Sequence, residues 1–199
     1  MLLSHLVGLY THPTQEWERI DKQHEGISAS LSHLLIVAII PPLCAIISSV
    51  FIGWQIGVGA PIFLTMESAL LMAMAMYVGL VAGVFALAYL TLWMSRTFGS
   101  KPEYTQCFEV AVYTATPLFM SALAAFYPHL WFLVCVGLGG LSLSVYLLYT
   151  GVPILMHIPK ERGFIYASSV VTCGLVLLVT LLASTVLLWS AGLGPTFIH

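Results

Sequence analysis

The segment CFEVAVYTATPLFMSALAAFYPHLWFLVCVGLGGLSLSVYLLYT, residues 107–150, decides the architecture. It contains two apolar stretches, 107–127 and 130–150, joined by only Tyr127, Pro128 and His129. Each matches the ~20 helical residues that cross the ~30 Å hydrocarbon core of a bilayer. A joint that short allows only an antiparallel helical hairpin.

Three further stretches of the same kind, 33–54, 68–94 and 164–191, bring the expected spans to five. Residues are 60% hydrophobic and 7% charged, whereas charged residues make up about 25% of a soluble domain. The reading is an all-α polytopic membrane protein. About thirty residues before the first span and short loops elsewhere are too few to bury a separate aqueous core. Two parts are expected: a short cytoplasmic N-terminal segment, 1–28, carrying an interfacial amphipathic helix, and a five-helix transmembrane domain, 29–199.

The basic residues orient this zigzag. Arg19 and Lys22 precede the first span, Arg96 and Lys101 lie between the second and third, and Lys160 and Arg162 lie between the fourth and fifth. Chance would place all six on one side about once in 32 chains, and the positive-inside rule predicts that outcome. The N-terminus is therefore expected in the cytoplasm and His199 on the external, periplasmic side. The net charge of −2 gives no reason to expect nucleic-acid binding. Basic pairs also fall short of the clusters of roughly 4–8 that mark anionic-lipid recognition. Residues 1–10, MLLSHLVGLY, lack the basic start and small-residue cleavage pattern of a signal peptide and are expected in the mature chain.

From Pro13, the segment PTQEWERIDKQHE places Trp17, Ile20 and His24 at helical spacing. It is expected to lie on the cytoplasmic membrane face, with Pro13, Trp17 and Ile20 as the interfacial anchor. A solvated helix that positions the first span, or one that docks a partner, fits the same residues. Pro41-Pro42 predicts a bend in the first span. The external stretch GWQIGVGAPIFLTME is expected at the interface rather than re-entrant, with Glu67 as an ordinary carboxylate at its end. On the second span Ala75, Gly79 and Gly83 repeat every four residues, a small-residue stripe that lets helix backbones approach closely in lipid. Contact within the chain or a homodimer seam would use it.

Glu109, Tyr113, Thr116 and Pro117 fall at i, i+4, i+7 and i+8 and so share one face of the third span. With Tyr146 and Tyr149 of the fourth, they are read as a candidate polar recess open to the cytoplasm. An aromatic belt at the membrane surface is the alternative reading of the same residues. Cys44, Cys107, Cys135 and Cys173 show no C-x-x-C spacing and read as packing residues, and the seven histidines have no ligand spacing. No metal or cofactor is expected.

The pattern Pro13-x3-Trp17-x2-Ile20, the run YTATPLFMSALAAFYP (113–128) and the run YLLYTGVP (146–153) resemble the Yip domain family of Rab/Ypt-interacting membrane proteins. The similarity covers about residues 9–190 and is closest to the bacterial inner-membrane branch, the YohC-like proteins often labelled transporters. The resemblance implies a five-span helical fold with a cytoplasmic N-terminus. For eukaryotic members it implies vesicle traffic through small GTPases, but this chain lacks their long cytoplasmic region and its Tyr-Gly-Pro-type motif. GTPase binding is not expected here.

Three function classes remain. The first is a non-enzymatic multi-pass inner-membrane protein that organises membrane partners or lipids, as a homodimer or with other proteins. The alternative is a small transporter or channel, resting on Pro41-Pro42, Pro117 and the polar face of the third span. An intramembrane enzyme is disfavoured, because no HExxH, carboxylate pair or Ser with a base at matching depth is legible.

Overall fold

A computed structural model describes residues 8–23, 26–53 and 61–198. Helix α1, Pro13–Gln23, opens on its proline, whose missing N–H belongs among the unbonded donors of a first turn. The first span, Ile27–Ile52, is not one helix. Helix α2, Ile27–Val37, stops at a turn formed by Ala38 and Ile39, and α3, Ile40–Ile46, restarts with Pro41 and Pro42 in its first turn. Each proline thus sits where it removes no interior hydrogen bond. A wide π-type turn, Ile47–Ile52, closes the span at Gly53, whose φ of 82° suits glycine.

Helix α4, Met66–Ser95, runs on as a tight 3-10 turn, Arg96–Phe98, and ends at left-handed Gly99. Its span of 33 residues is roughly 50 Å long at 1.5 Å per residue and must tilt or project. Helix α5, Tyr104–Met120, starts where the Glu103 N–H donates to Gln106 Oε1 at 2.9 Å, carries Pro117 inside, and continues as a 3-10 segment, Ser121–Phe126. After the Tyr127–His129 joint come α6, Leu130–Leu155, and α7, Lys160–Leu188. The hairpin and the count of five spans hold. Residues 54–60 of the expected interfacial loop lie outside the described residues. Just beyond them, β1, Phe63–Leu64, pairs antiparallel with β2, Phe197–Ile198, in a ladder of two residues each.

The third span is the centre of the bundle. Two-thirds of its apolar stretch (67%) is buried, against 6–39% for the other four. It packs on α2, α4 and α6, while α7 leans on α4 and α6 and α1 rests on α6. Gly79 and Gly83 of the stripe face α7 within the chain, where added Cβ atoms would stand 3.5 and 3.4 Å from Leu181, whereas Ala75 is exposed. All four cysteines are free thiols; Cys44 and Cys107 are buried, but Cys135 is exposed and serves no packing role within the chain.

The basic segments gather at one end. Ser100 Oγ donates to the Met156 carbonyl at 2.8 Å, His157 Nε2 lies 3.0 Å from Asp21 Oδ2, and a Cβ on Gly99 would sit 3.3 Å from Arg162 Nη1. These contacts tie α1, the 96–103 loop and the α6–α7 turn together. We call this the basic end, and the opposite one the far end.

Candidate functional site: a polar face beneath the N-terminal helix

Glu109, Tyr113 and Thr116 line one side of α5 and are 3%, 3% and 2% exposed. Their spacing delivers them to the seam with α2, which contributes His33, 1% exposed. His33 Nε2 lies 3.1 Å from Thr116 Oγ1, and its ring rests on that of Tyr113, with centroids 5.2 Å apart. The Thr116 hydroxyl donates to the Val112 carbonyl at 2.9 Å, which uses its single proton. The His33 bond must therefore run from Nε2–H to the threonine oxygen, assigning the tautomer from the network. That same donation turns Thr116 away from any nucleophilic role.

Trp17 closes the site from above. Its ring meets Tyr113 edge-on at 6.1 Å and 81°, and the side chain is fully buried. This corrects the expected interfacial anchor: Trp17 and Ile20 are sunk in protein, and Pro13 is half-buried. The reason lies on α6. Gly151 lacks a side chain, and a Cβ there would come within 2.6 Å of the indole, so glycine provides the slot that the ring fills. A large aromatic gains more by filling a protein slot than by lying half-wet at a membrane surface.

The six residues read as one recess are only partly brought together. Glu109, Tyr113, Thr116 and Pro117 are buried on α5. Tyr146 points outward, 52% exposed, and Tyr149 hydrogen-bonds Ser168 of α7 at 2.8 Å. The YLLYTGVP run is instead a packing seam: Leu147, Leu148 and Val152 are buried, Gly151 receives Trp17, and Pro153 lies against Gly163, where a Cβ would be 2.6 Å from its Cγ. Pro117 serves packing too, since its carbonyl lies 3.1 Å from the place a Cβ on Gly140 would take.

His33 is the member that sequence reasoning missed. Its signal was present: Ser30, His33, Leu34 and Val37 share the buried face of α2, so an ionisable group stood on the inner side of an apolar helix. Glu109 and His33 are ionisable groups more than one turn inside the described spans. In a medium of low dielectric such groups persist only with partners. The arrangement can hold a proton or orient a small polar solute. Among the described residues no group of three His, Cys, Asp or Glu side chains is placed to hold a metal.

Comparison with known proteins agrees with this architecture. The Yip1 domain family matches residues 7–181. Inner membrane protein YohC of Escherichia coli strain K12 is 39% identical over 191 residues, covering 96% of this chain and 98% of its own length. The protein of the same name from Escherichia coli O6:H1 strain CFT073 gives the same figures. No solved structure matches the chain. With five apolar helices of spanning length and this coverage, the chain belongs to the Yip1 domain family and is a multi-pass inner-membrane protein.

Proposed function

We propose that this protein is a non-enzymatic organiser of other membrane proteins, and that it docks a partner's transmembrane helix at the far end of α6 and α7. One observation carries the reading: every residue of the described chain from Leu182 to Ser190 is exposed. The last two turns of α7 and the two residues after it thus bury no side chain among the described residues. α6 for its part exposes Cys135, Gly139 and Ser142 on one face, in line with Trp131 and Tyr146. A Cβ on Gly137 or Gly139 would meet nothing within 4 Å. Small residues on a lipid-facing helix permit close backbone approach, the main source of helix affinity in lipid. A second copy of the chain is one form such a partner can take. The basic end would face the cytoplasm, by the same charge rule that orients the sequence.

A photo-reactive residue at Gly139 or Leu182 in native membranes should crosslink a discrete membrane protein, while one at buried Ala111 should not. Lipid adducts alone at the two exposed positions would count against the organiser. The transport reading is favoured by one feature, the buried His33–Thr116–Tyr113 contact at the membrane-embedded centre. It would prevail if purified protein in liposomes passed solute and Tyr113→Phe or Pro117→Ala stopped the flux.

A further inference from the structure

Helix α1 is short and polar. Five of its eleven residues, Glu16, Glu18, Arg19, Asp21 and Lys22, are charged. A helix of this length is not stable by itself in water, so α1 is helical because it is docked. Among its attachments are Trp17 in the Gly151 slot, Ile20 in the same core cluster, buried Glu16, and the Asp21–His157 pair at its edge.

Those attachments carry signs of opposing strain. The buried Trp17 Nε1 and Asp21 Oδ1 find no hydrogen-bond partner among the described residues. A buried polar atom left so weakens the docked state. His157, which holds the other end of the latch, has a φ of 51°, a left-handed conformation that a non-glycine residue adopts at a cost. Through Trp17 the helix also reaches Tyr113, one member of the polar face of α5.

We propose that α1 is a detachable lid, which leaves the basic end as a unit and opens the Glu109–Tyr113–Thr116–His33 face to water. Trp17 is its plug and Asp21–His157 its latch. The spans keep direct packing of α5 on α2, α4 and α6 when α1 leaves. The lid sits at the opposite end of α7 from the proposed partner surface, so either idea can fail without the other.

The test is the rate at which a water-soluble carbodiimide with a small amine modifies Glu109, read by mass spectrometry on the full-length protein in liposomes. Gly151→Leu, which closes the slot, and Trp17→Ala, which removes the plug, should each raise that rate by roughly tenfold, as local opening does for a protected site. A covalent latch is the converse. Asp21→Cys with His157→Cys, in a chain whose four native cysteines are alanine, bridged by a short bis-maleimide, should suppress modification below that of the unbridged protein.

Trypsin provides the check on folding. Cleavage after Arg19 should accelerate with Glu109 modification, while cleavage after Lys160 stays unchanged. If bridging leaves Glu109 modification unaltered, or if Trp17→Ala speeds cleavage at Arg19 and Lys160 alike, α1 is a fixed part of the bundle and the proposal is wrong.

Discussion

The third and fifth spans make opposite use of the same membrane. The third is the least apolar of the five, carries Glu109, three threonines and an internal proline, and is the most buried. The fifth is richer in leucine and valine, yet only 6% of its apolar stretch is covered by protein. Lipid is as apolar as leucine, so apolar faces gain nothing by turning inward, and the interior goes to the groups that lipid cannot satisfy. Thr114 and Thr116 illustrate the point, each donating to a carbonyl one turn back at 2.6 and 2.9 Å.

The largest expected effect tests how tightly the third span is held. Gly140→Leu should be severely destabilising, because even a Cβ would lie 2.9 Å from Ser121 Cβ and 3.1 Å from the Pro117 carbonyl. Overpacking costs about 1–3 kcal/mol, and more where backbone must yield. Its neighbour provides the control: a Cβ on Gly139 has nothing within 4 Å. Gly139→Leu should leave the thermal midpoint in detergent near that of the unmodified protein, while Gly140→Leu lowers it or abolishes folded protein. Equal effects at the two positions would mean that α6 is rotated from the orientation described.

A smaller effect is expected from the polar seam. Thr116→Val removes the oxygen that accepts from His33 and should cost about 1–3 kcal/mol, the penalty for stranding a buried donor. His33→Leu placed on top of it should then cost less than the same change in the native chain. A coupling of about 0.5–3 kcal/mol between the two positions, read from denaturation of the four proteins, is the signature of a direct contact. Strict additivity would break the case for a hydrogen-bonded seam.

Much of this was legible from residue order. Five spans, the 127–129 joint, the grouping of six cations and the face shared by Glu109, Tyr113 and Thr116 all follow from periodicity and length. What failed was the placement of aromatic rings. Tyr146, Tyr149 and Trp17 are amphipathic, and their type alone is compatible with a membrane surface, a seam or a plug. The deciding residue for Trp17 is Gly151, 134 positions away in sequence, and glycine announces a slot only once the element that fills it is known. His33 escaped notice for a related reason: its partner Thr116 lies on another span, so no local spacing links them.

The smallest expected change in stability bears on the fifth span. Leu182→Ala and Val186→Ala each remove an exposed side chain from α7, 61% accessible in both cases. Because lipid replaces lipid on one side of the balance, neither should shift unfolding beyond about 0.5 kcal/mol, as for surface positions generally. Partner association should respond differently, since a docked helix loses packing contacts with each deletion and has little else to hold it in an apolar solvent. The crosslinking yield from Gly139 should therefore fall in both variants while the thermal midpoint does not move. A yield that survives both deletions would show that α7 faces lipid alone and that any partner is held by α6, which narrows the docking surface to the stripe of Cys135, Gly139 and Ser142.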